Sequence, residues 1–282
     1  MDNLPIQEGH NMPTGDLVVF WLTFAIYGLA FLLFAYELTG RTKGPVRGLS
    51  LLVWLGVALH TVSLGLRWSY SGHMPGNNLF ELNSVGGWCT VLLFQLLLLK
   101  YRNLRMIGVF VLGITLAMML YGVSKPHALG PLSEEYQSPW FYIHIISAFL
   151  AYGCYVIATS AAILYLFRSF WERVSPLQVS LPPDALLEDL NVRFVAYGFG
   201  GHAIMLASGS VWANTAWGSY WSWDPVETWS LVTWLIYGFH LHARTFLGWD
   251  IRRLAWISIG ALIAIVFTFW GVSHLPMETL EH

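Results

Sequence analysis

The sequence predicts an all-α integral membrane protein with eight transmembrane helices and both termini on the outer, periplasmic side. Three observations predict this class: 56% of the 282 residues are apolar, only 11% are charged against about 25% in soluble domains, and long apolar runs recur along the chain. Each run meets or approaches the roughly 20 residues that cross a bilayer. The eight runs are Leu17–Tyr36, Leu49–Leu66, Leu82–Leu99, Met106–Ser124, Trp140–Phe167, Phe194–Trp212, Val226–Ala243 and Leu254–Leu275.

Local signals indicate how individual spans begin. The first run lacks a small-residue cleavage site, so we interpret it as a span and not as a signal peptide. Ser138-Pro139 precedes the fifth run and Asp224-Pro225 the seventh, and an N-cap followed by proline is typical of a helix start. In the connection 168–193, Pro182-Pro183-Asp184 and the amphipathic stretch after it predict a short surface helix that only connects two spans.

Residues 1–279 are predicted to form a single transmembrane domain without internal repeats. The last three residues, 280–282, resemble the remnant of an expression tag and carry no functional argument.

The distribution of lysine and arginine predicts the orientation. Twelve of the 14 cations fall in the loops after the first, third, fifth and seventh runs, whereas Arg67 and Lys125 fall on the opposite side. Cytoplasmic loops carry the excess of Lys and Arg. With eight spans, this rule places both termini outside.

Composition argues against several classes of function. The net charge of −2 disfavours nucleic acid as a partner, since phosphate binding requires a basic excess. Cys89 and Cys154 lie inside apolar runs and show neither a disulfide framework nor metal-type spacing. No glycine-rich phosphate-binding loop is present in the sequence, so we expect no use of ATP.

A tryptophan-rich segment, residues 212–229, is predicted as an outer loop. Six tryptophans fall within residues 212–234, which exceeds an interfacial aromatic belt, although a thick anchoring belt is the alternative interpretation. The pattern favours a flat aromatic platform for a large planar ligand. The predicted platform consists of Trp217, Tyr220, Trp221, Trp223, Asp224 and Trp229. Asp224 and Glu227 also have a purely structural interpretation, as the cap of the seventh span.

Histidines within spans mark candidate ligand sites. Counting from the predicted helix start at Ser138-Pro139, His144 lies one to two turns below the outer surface, and His274 lies at the outer end of the last span. Two neutral imidazoles at one depth can bind the metal of a flat ligand on both of its faces. Taken singly, each intramembrane histidine is more often a hydrogen-bonded core residue.

Further histidines lie deeper. His60 is near the middle of the second span, His202 lies in the sixth, and His240 and His242 lie near the inner end of the seventh. Because residues two apart on a helix point to different faces, at most one of the last two faces a given ligand.

Arg67 and Lys125 either snorkel from span ends or pair with ligand carboxylates. A planar, metal-bearing molecule with carboxylates describes haem. The residue set fits haem better than quinone or lipid, because quinone needs no paired axial histidines.

The segment Trp217-Gly-Ser-Tyr-Trp-Ser-Trp-Asp224-Pro-Val-Glu-Thr-Trp229 resembles the "WWD" signature of haem-handling proteins of cytochrome c biogenesis. Chain length and span number resemble the CcsA/ResC family of the System II pathway. Further similarity covers the outer loop from Leu66-Arg67-Trp68 to Asn78-Leu79-Phe80-Glu81, and Leu241-His242-Ala-Arg244. The chain departs from the family in having Val226 where lysine is usual.

The resemblance implies residue roles. His144 and His274 match the two outer haem ligands, and His242 matches the transmembrane histidine that helps to hold haem as it arrives from the inner side. The second ligand there comes from a ResB/CcsB-type partner or from His60. Arg67 and Lys125 become candidates for contacts with the haem propionates.

The implied function is transport and presentation of haem b, as bound substrate, to the Cys-x-x-Cys-His segment of apocytochrome c. The chain would be a subunit of a cytochrome c synthase that forms thioether bonds, with iron held only within haem. A haem exporter or chaperone without synthase activity and a respiratory haem b membrane anchor are the alternatives. The expected location is the bacterial cytoplasmic membrane with the site facing outwards, or the thylakoid membrane in a plastid or cyanobacterium.

Overall fold

The computed structural model describes residues 14–39, 41, 48–174 and 181–271, and within these ranges every regular element is helical. The α-helices are α1 (Gly15–Leu38), α2 (Leu49–Ser71), α3 (Leu79–Lys100), α4 (Gly108–Val123), α5 (Pro139–Leu166), α6 (Arg168–Val174), α7 (Asp184–Trp217), α8 (Pro225–Thr245) and α9 (Ile251–Val266). Short 3₁₀ helices cover Arg102–Ile107 and Glu134–Tyr136, and a π-helical turn, Phe267–Gly271, continues α9.

Seven helical segments of the described chain are long and apolar enough to cross a membrane. They correspond to α1, α2, α3, α4 with its preceding 3₁₀ turn, α5, α7, and α9 with its π turn. The prediction of an all-α membrane protein is therefore confirmed. The seventh predicted run forms helix α8, which is not among these segments because it carries Glu227, His240, His242 and Arg244 within 21 residues.

The helices pack as two groups. Helices α1 to α4 surround an apolar core that contains Phe20, Phe34 and Phe94 and extends to α5 and α7. In the second group, α5 packs most extensively against α7 and also against α9, while α8 contacts α7 and α9. Contacts of α5 with α3 join the groups. The cavities described below lie near this junction.

Helix α7 differs from the sequence-based prediction. A short surface helix followed by a separate span at Phe194–Trp212 was expected, but one continuous helix runs over Asp184–Trp217. No helix breaker separates the two parts, and Leu187 and Leu190 are buried against the core of the first group. Burial of these leucines extends the helix inward from the predicted span.

The tryptophan-rich segment is a helix end, a short loop and a helix start. Helix α7 ends at Trp217 and is capped by Gly218, whose φ of 77° is the left-handed conformation favoured by glycine at a helix C-terminus. Residues 218–224 form the loop before α8. We call the end of the bundle that carries loops 72–78, 124–138 and 218–224 the outer end, after the predicted orientation. His274 and residues 280–282 lie outside the described residues.

Candidate functional site

Two adjoining cavities open at the outer end, with volumes of about 400 and about 310 Å³. These volumes are typical of small-molecule sites, which measure roughly 300–1,000 Å³. Five residues line both cavities: His144, Met205, Trp212, Val226 and Ser230. We refer to the two together as the outer cavity. It is bounded by α5, α7 and α8, by loop 72–78 with the start of α3, and by the π-helical turn after α9.

His144 reaches the outer cavity from the second turn of α5. Ser138 caps this helix by accepting a hydrogen bond from the Trp140 amide at 3.3 Å, as predicted. His144 Nδ1 lies 2.9 Å from the Met205 carbonyl oxygen, which can only accept, so Nδ1 carries the proton. In the neutral imidazole Nε2 then has a free lone pair. This arrangement orients a histidine for binding a metal.

Close packing of α5 on α7 depends on Gly209. A Cβ at this position would lie 2.6 Å from Nδ1 of His144 and 3.0 Å from its Cε1. The Trp212 ring, one turn further along α7, lies 5.7 Å from the imidazole centroid and is tilted by 39°. Neither Gly209 nor Met205 was predicted as a site residue, because a lone glycine and a backbone carbonyl leave no recognisable pattern in the sequence.

An aromatic cluster supports the outer cavity beside His144. Tyr136 stacks on Phe141 with centroids 4.8 Å apart and planes 19° apart, and Trp212 packs against both. Trp212 Nε1 donates to the Glu135 carbonyl oxygen at 2.7 Å, which ties loop 124–138 to α7. Burial, together with the nearby Glu135 carboxylate, raises the pKa of Tyr136 above its ordinary value.

The predicted platform residues divide between two environments. Trp217, Trp221 and Asp224 line the smaller cavity. Trp217 packs against Trp212 at 5.1 Å, with the rest of its side chain exposed. Nε1 of Trp221 is buried without a hydrogen-bond partner among the described residues, so this indole offers a donor at the cavity. The other three predicted platform residues are absent from the lining: Tyr220 and Trp223 are exposed, and Trp229 packs against Phe267.

The predicted cap of α8 is confirmed. Asp224 Oδ1 accepts hydrogen bonds from the amides of Val226 at 2.7 Å and Glu227 at 3.0 Å. Glu227 Oε2 accepts from the amide of Ser222 at 2.8 Å and from its hydroxyl at 3.1 Å. These bonds fix the loop against the helix start and hold Trp221 at the cavity.

The deeper histidines lie in separate environments. His242 is exposed on the surface of the bundle and stacks on Phe246 at 4.9 Å, whereas His240 is buried and hydrogen-bonds Asn191 Oδ1 at 2.9 Å. The prediction that these two point to different faces is confirmed. His60 is buried among α1, α2 and α3, with Nε2 2.9 Å from Ser84 Oγ. Buried His202 packs against Tyr152 beneath the outer cavity.

His60 and His242 belong to different parts of the bundle. Helix α2 packs mainly against α1 and α3, whereas α8 packs against α7 and α9. The described structure therefore does not bring the two histidines together.

The two predicted propionate contacts also differ. Arg67 is buried, and its guanidinium binds the chain's own carboxylates, Glu81 at 2.9 Å and Asp16 at 3.3 Å. It neither snorkels nor remains available to a ligand carboxylate, which corrects the sequence-based assignment. Lys125 is half-buried, with Nζ 4.5 Å from the centroid of the Tyr121 ring. Its ammonium remains close to the outer end.

The residues present fit haem. The outer cavity combines aromatic walls with one imidazole whose Nε2 is free to bind iron. Within the described ranges, no group of three or more His, Cys, Asp or Glu side chains could hold a bare metal ion. A single imidazole beside flat apolar surfaces suits a metal that arrives already bound in a macrocycle.

Comparisons with known proteins show the family to which the chain belongs. The sequence model of a family described as "Cytochrome C assembly protein" matches residues 78–278. The chain is 33% identical to the cytochrome c biogenesis protein CcsA of Chlamydomonas reinhardtii over 229 residues, which cover 78% of this chain and 65% of that protein. It is 30% identical to CcsA of Prochlorococcus marinus strain MIT 9313 over 285 residues, covering 89% and 88% of the two chains.

Proposed function

The chain belongs to the cytochrome c assembly family and acts in cytochrome c biogenesis, and from that premise we propose that it binds haem b at the outer cavity and presents it to apocytochrome c. In this proposal it is a subunit of a cytochrome c synthase and works with a ResB/CcsB-type membrane partner.

One observation carries the proposal. His144 projects into a cavity with aromatic walls, and its Nδ1 is held by the Met205 carbonyl so that Nε2 is the free ligand atom. His274, which lies outside the described residues, is the proposed second axial ligand on the basis of the family resemblance. Trp212, Trp217 and Trp221 supply the flat apolar surfaces against which the macrocycle packs.

The propionates require donors at the rim of the cavity. The Trp221 indole N–H has no partner within the described chain, and Lys125 is the other cation that the sequence places on the outer side. Arg67 is left out because the chain's own carboxylates occupy it.

His242 is the proposed contact for haem on its way from the inner side. Its imidazole lies on the exposed face of α8, where a partner helix can supply the second ligand. His60 is disfavoured as that ligand because it is buried within the first group of helices.

The chain's contribution to bond formation is orientation. Each thioether arises when a cysteine S–H adds across a haem vinyl group, so the sulfur bonds to one vinyl carbon, the proton goes to the other, and nothing leaves. The outer cavity would hold the haem plane, exclude water from one face and leave an edge open to the peptide. The apocytochrome histidine then replaces one of the two axial imidazoles.

This proposal places both termini and the outer cavity on the side opposite the cationic loops. The membrane is the bacterial cytoplasmic membrane, or the thylakoid membrane in a plastid or cyanobacterium. Eight membrane crossings follow if α8 spans despite its polar residues, which its 21-residue length permits.

Reconstitution tests the function. The purified protein, its partner, haem and an apocytochrome with Cys-x-x-Cys-His are combined in liposomes, and covalent haem is detected on the denatured cytochrome. We expect covalent product with the wild type and none with His144→Ala. Haem binding without covalent product would support an exporter, whereas stable haem with no effect on cytochrome c maturation would support a respiratory anchor.

A further inference from the structure

Three charged side chains are buried together beneath the outer loops. Arg67 of α2 lies between Asp16 of α1 and Glu81 of α3, with N–O distances of 3.3 and 2.9 Å, and each residue is at most 2% exposed. Burying three charges is costly, and apolar residues of similar size often stabilise a core equally well. Core stability alone therefore does not explain why three charges are buried here.

Arg67 and Glu81 each bind the backbone of a different outer loop. Arg67 Nη2 donates to the carbonyl oxygens of His127 at 2.7 Å and Ala128 at 3.2 Å. Glu81 Oε2 accepts from the amides of Gly76 at 2.8 Å and Asn77 at 2.7 Å. A single buried ion pair thus connects loop 124–138 to loop 72–78.

Two direct bonds reinforce the connection between the loops. Nε2 of His73 lies 3.0 Å from the Gly130 carbonyl oxygen, and Nδ2 of Asn77 donates to the Pro131 carbonyl oxygen at 3.2 Å. Gly76 and Asn77 also line the larger part of the outer cavity. The backbone held by Glu81 is therefore a wall of the site that contains His144.

We propose that Arg67 and Glu81 are positioning residues that fix loops 72–78 and 124–138 as a rigid wall of the haem cavity. This inference rests on the proposed function. Neither residue touches the ligand; each acts through the backbone it binds. The planar guanidinium can donate to two carboxylates and two carbonyls at once, whereas an ammonium is a single point of charge with three donors.

The substitution Arg67→Lys tests the role. It keeps the charge but cannot maintain all four contacts. Arg105→Lys is the control for an arginine-to-lysine change elsewhere, because Arg105, whose side chain is 34% exposed, pairs with Glu37 at 3.3 Å at the opposite end of α1. The rate of amide hydrogen exchange at residues 76–77, measured without haem, shows how firmly loop 72–78 is held. Titration with ferric haem gives the Kd for haem at the outer cavity.

We expect Arg67→Lys to raise exchange at residues 76–77 and to weaken haem affinity, each by about tenfold or more, as for loss of one charge-assisted hydrogen bond. The Soret maximum should stay at the wild-type wavelength because the iron ligands are unchanged. Arg105→Lys should change neither measurement. A purely structural role for Arg67 would alter thermal stability while the haem affinity of the folded protein stayed the same, and that result would overturn the proposal.

Other outcomes separate this role from the proposed function. Wild-type protein that binds no haem overturns the proposed function itself. Wild-type protein that binds haem no better than Arg67→Lys overturns only the positioning role. If Arg67→Lys does not fold, Asn77→Ala replaces it, because this variant removes the bond to Pro131 without touching a buried charge. Unchanged exchange and haem affinity in folded Asn77→Ala would then contradict the proposal.

Discussion

Gly209→Ala should weaken haem binding by displacing His144. The added Cβ would lie 2.6 Å from Nδ1 and 3.0 Å from Cε1 of the imidazole. Both distances are shorter than an ordinary van der Waals contact of 3.4–4 Å. The imidazole must therefore retreat by about 0.8 Å or rotate. Either movement stretches the 2.9 Å bond to the Met205 carbonyl that fixes the tautomer.

The expected loss follows from two contributions. A disturbed hydrogen bond costs about 0.5–1.5 kcal/mol, and misplacing the ligand atom by about 1 Å weakens binding further. Together we expect a loss of about 1–3 kcal/mol in haem affinity, which is about fivefold to 150-fold in Kd. Overall stability should change less, because alanine is favoured over glycine in a helix by about 1 kcal/mol, which offsets part of the strain.

Gly200→Ala provides the control on the same helix. A Cβ at Gly200 has no neighbour within 4 Å, so this variant gains helix propensity without a clash. Haem Kd is measured by absorbance titration of each variant, and folding by thermal unfolding of the same samples. If folded Gly209→Ala binds haem with wild-type affinity and spectrum, or if both variants lose affinity equally, the assignment of His144 is refuted.

Three further predictions concern the ligand, the aromatic walls and the topology. His144→Ala should abolish cytochrome c maturation, and added imidazole should restore part of it by filling the vacant ligand position. Normal maturation by this variant without imidazole would exclude His144 as a ligand. Trp217→Ala and Trp221→Ala should each lower haem affinity by about 1–3 kcal/mol, by analogy with base–aromatic stacking. Trp223→Ala should lose less, because Trp223 does not line the outer cavity. Haem per mole of folded protein measures this, and equal losses would contradict the cavity lining. Arg105→Cys should be labelled only from the cytoplasmic side, and labelling from outside would reverse the orientation.

Local features of the fold were predictable from the sequence. The caps at Ser138 and Asp224 follow from short-range hydrogen bonding, which the order of neighbouring residues determines. Most membrane-spanning helices follow from apolar run length. The extension of α7 back to Asp184 was missed, because the burial of Leu187 depends on helices that are distant in sequence.

The environments of the polar residues were harder to predict. Helical spacing indicates that His240 and His242 face opposite ways, but only the packing of α7 and α8 shows that His240 is the buried one. Arg67 presents a similar difficulty. Its position at a span end fits snorkelling or ligand binding, and its carboxylate partners lie 51 and 14 residues away along the chain.

The outer cavity shows why its residue list could be predicted only in part. Its walls come from α5, the end of α7, the start of α8, loop 72–78 with the start of α3, and the π-helical turn after α9, and spacing within any one of them says nothing about the others. The tryptophan signature indicated an aromatic surface and identified Trp217 and Trp221, because bulky aromatics beyond an ordinary belt require a separate explanation. Met205 and Gly209 act through a backbone oxygen and a missing side chain. Their contributions exist only where α5 and α7 touch, so a substitution that alters this contact tests the site more directly than one that alters a tryptophan.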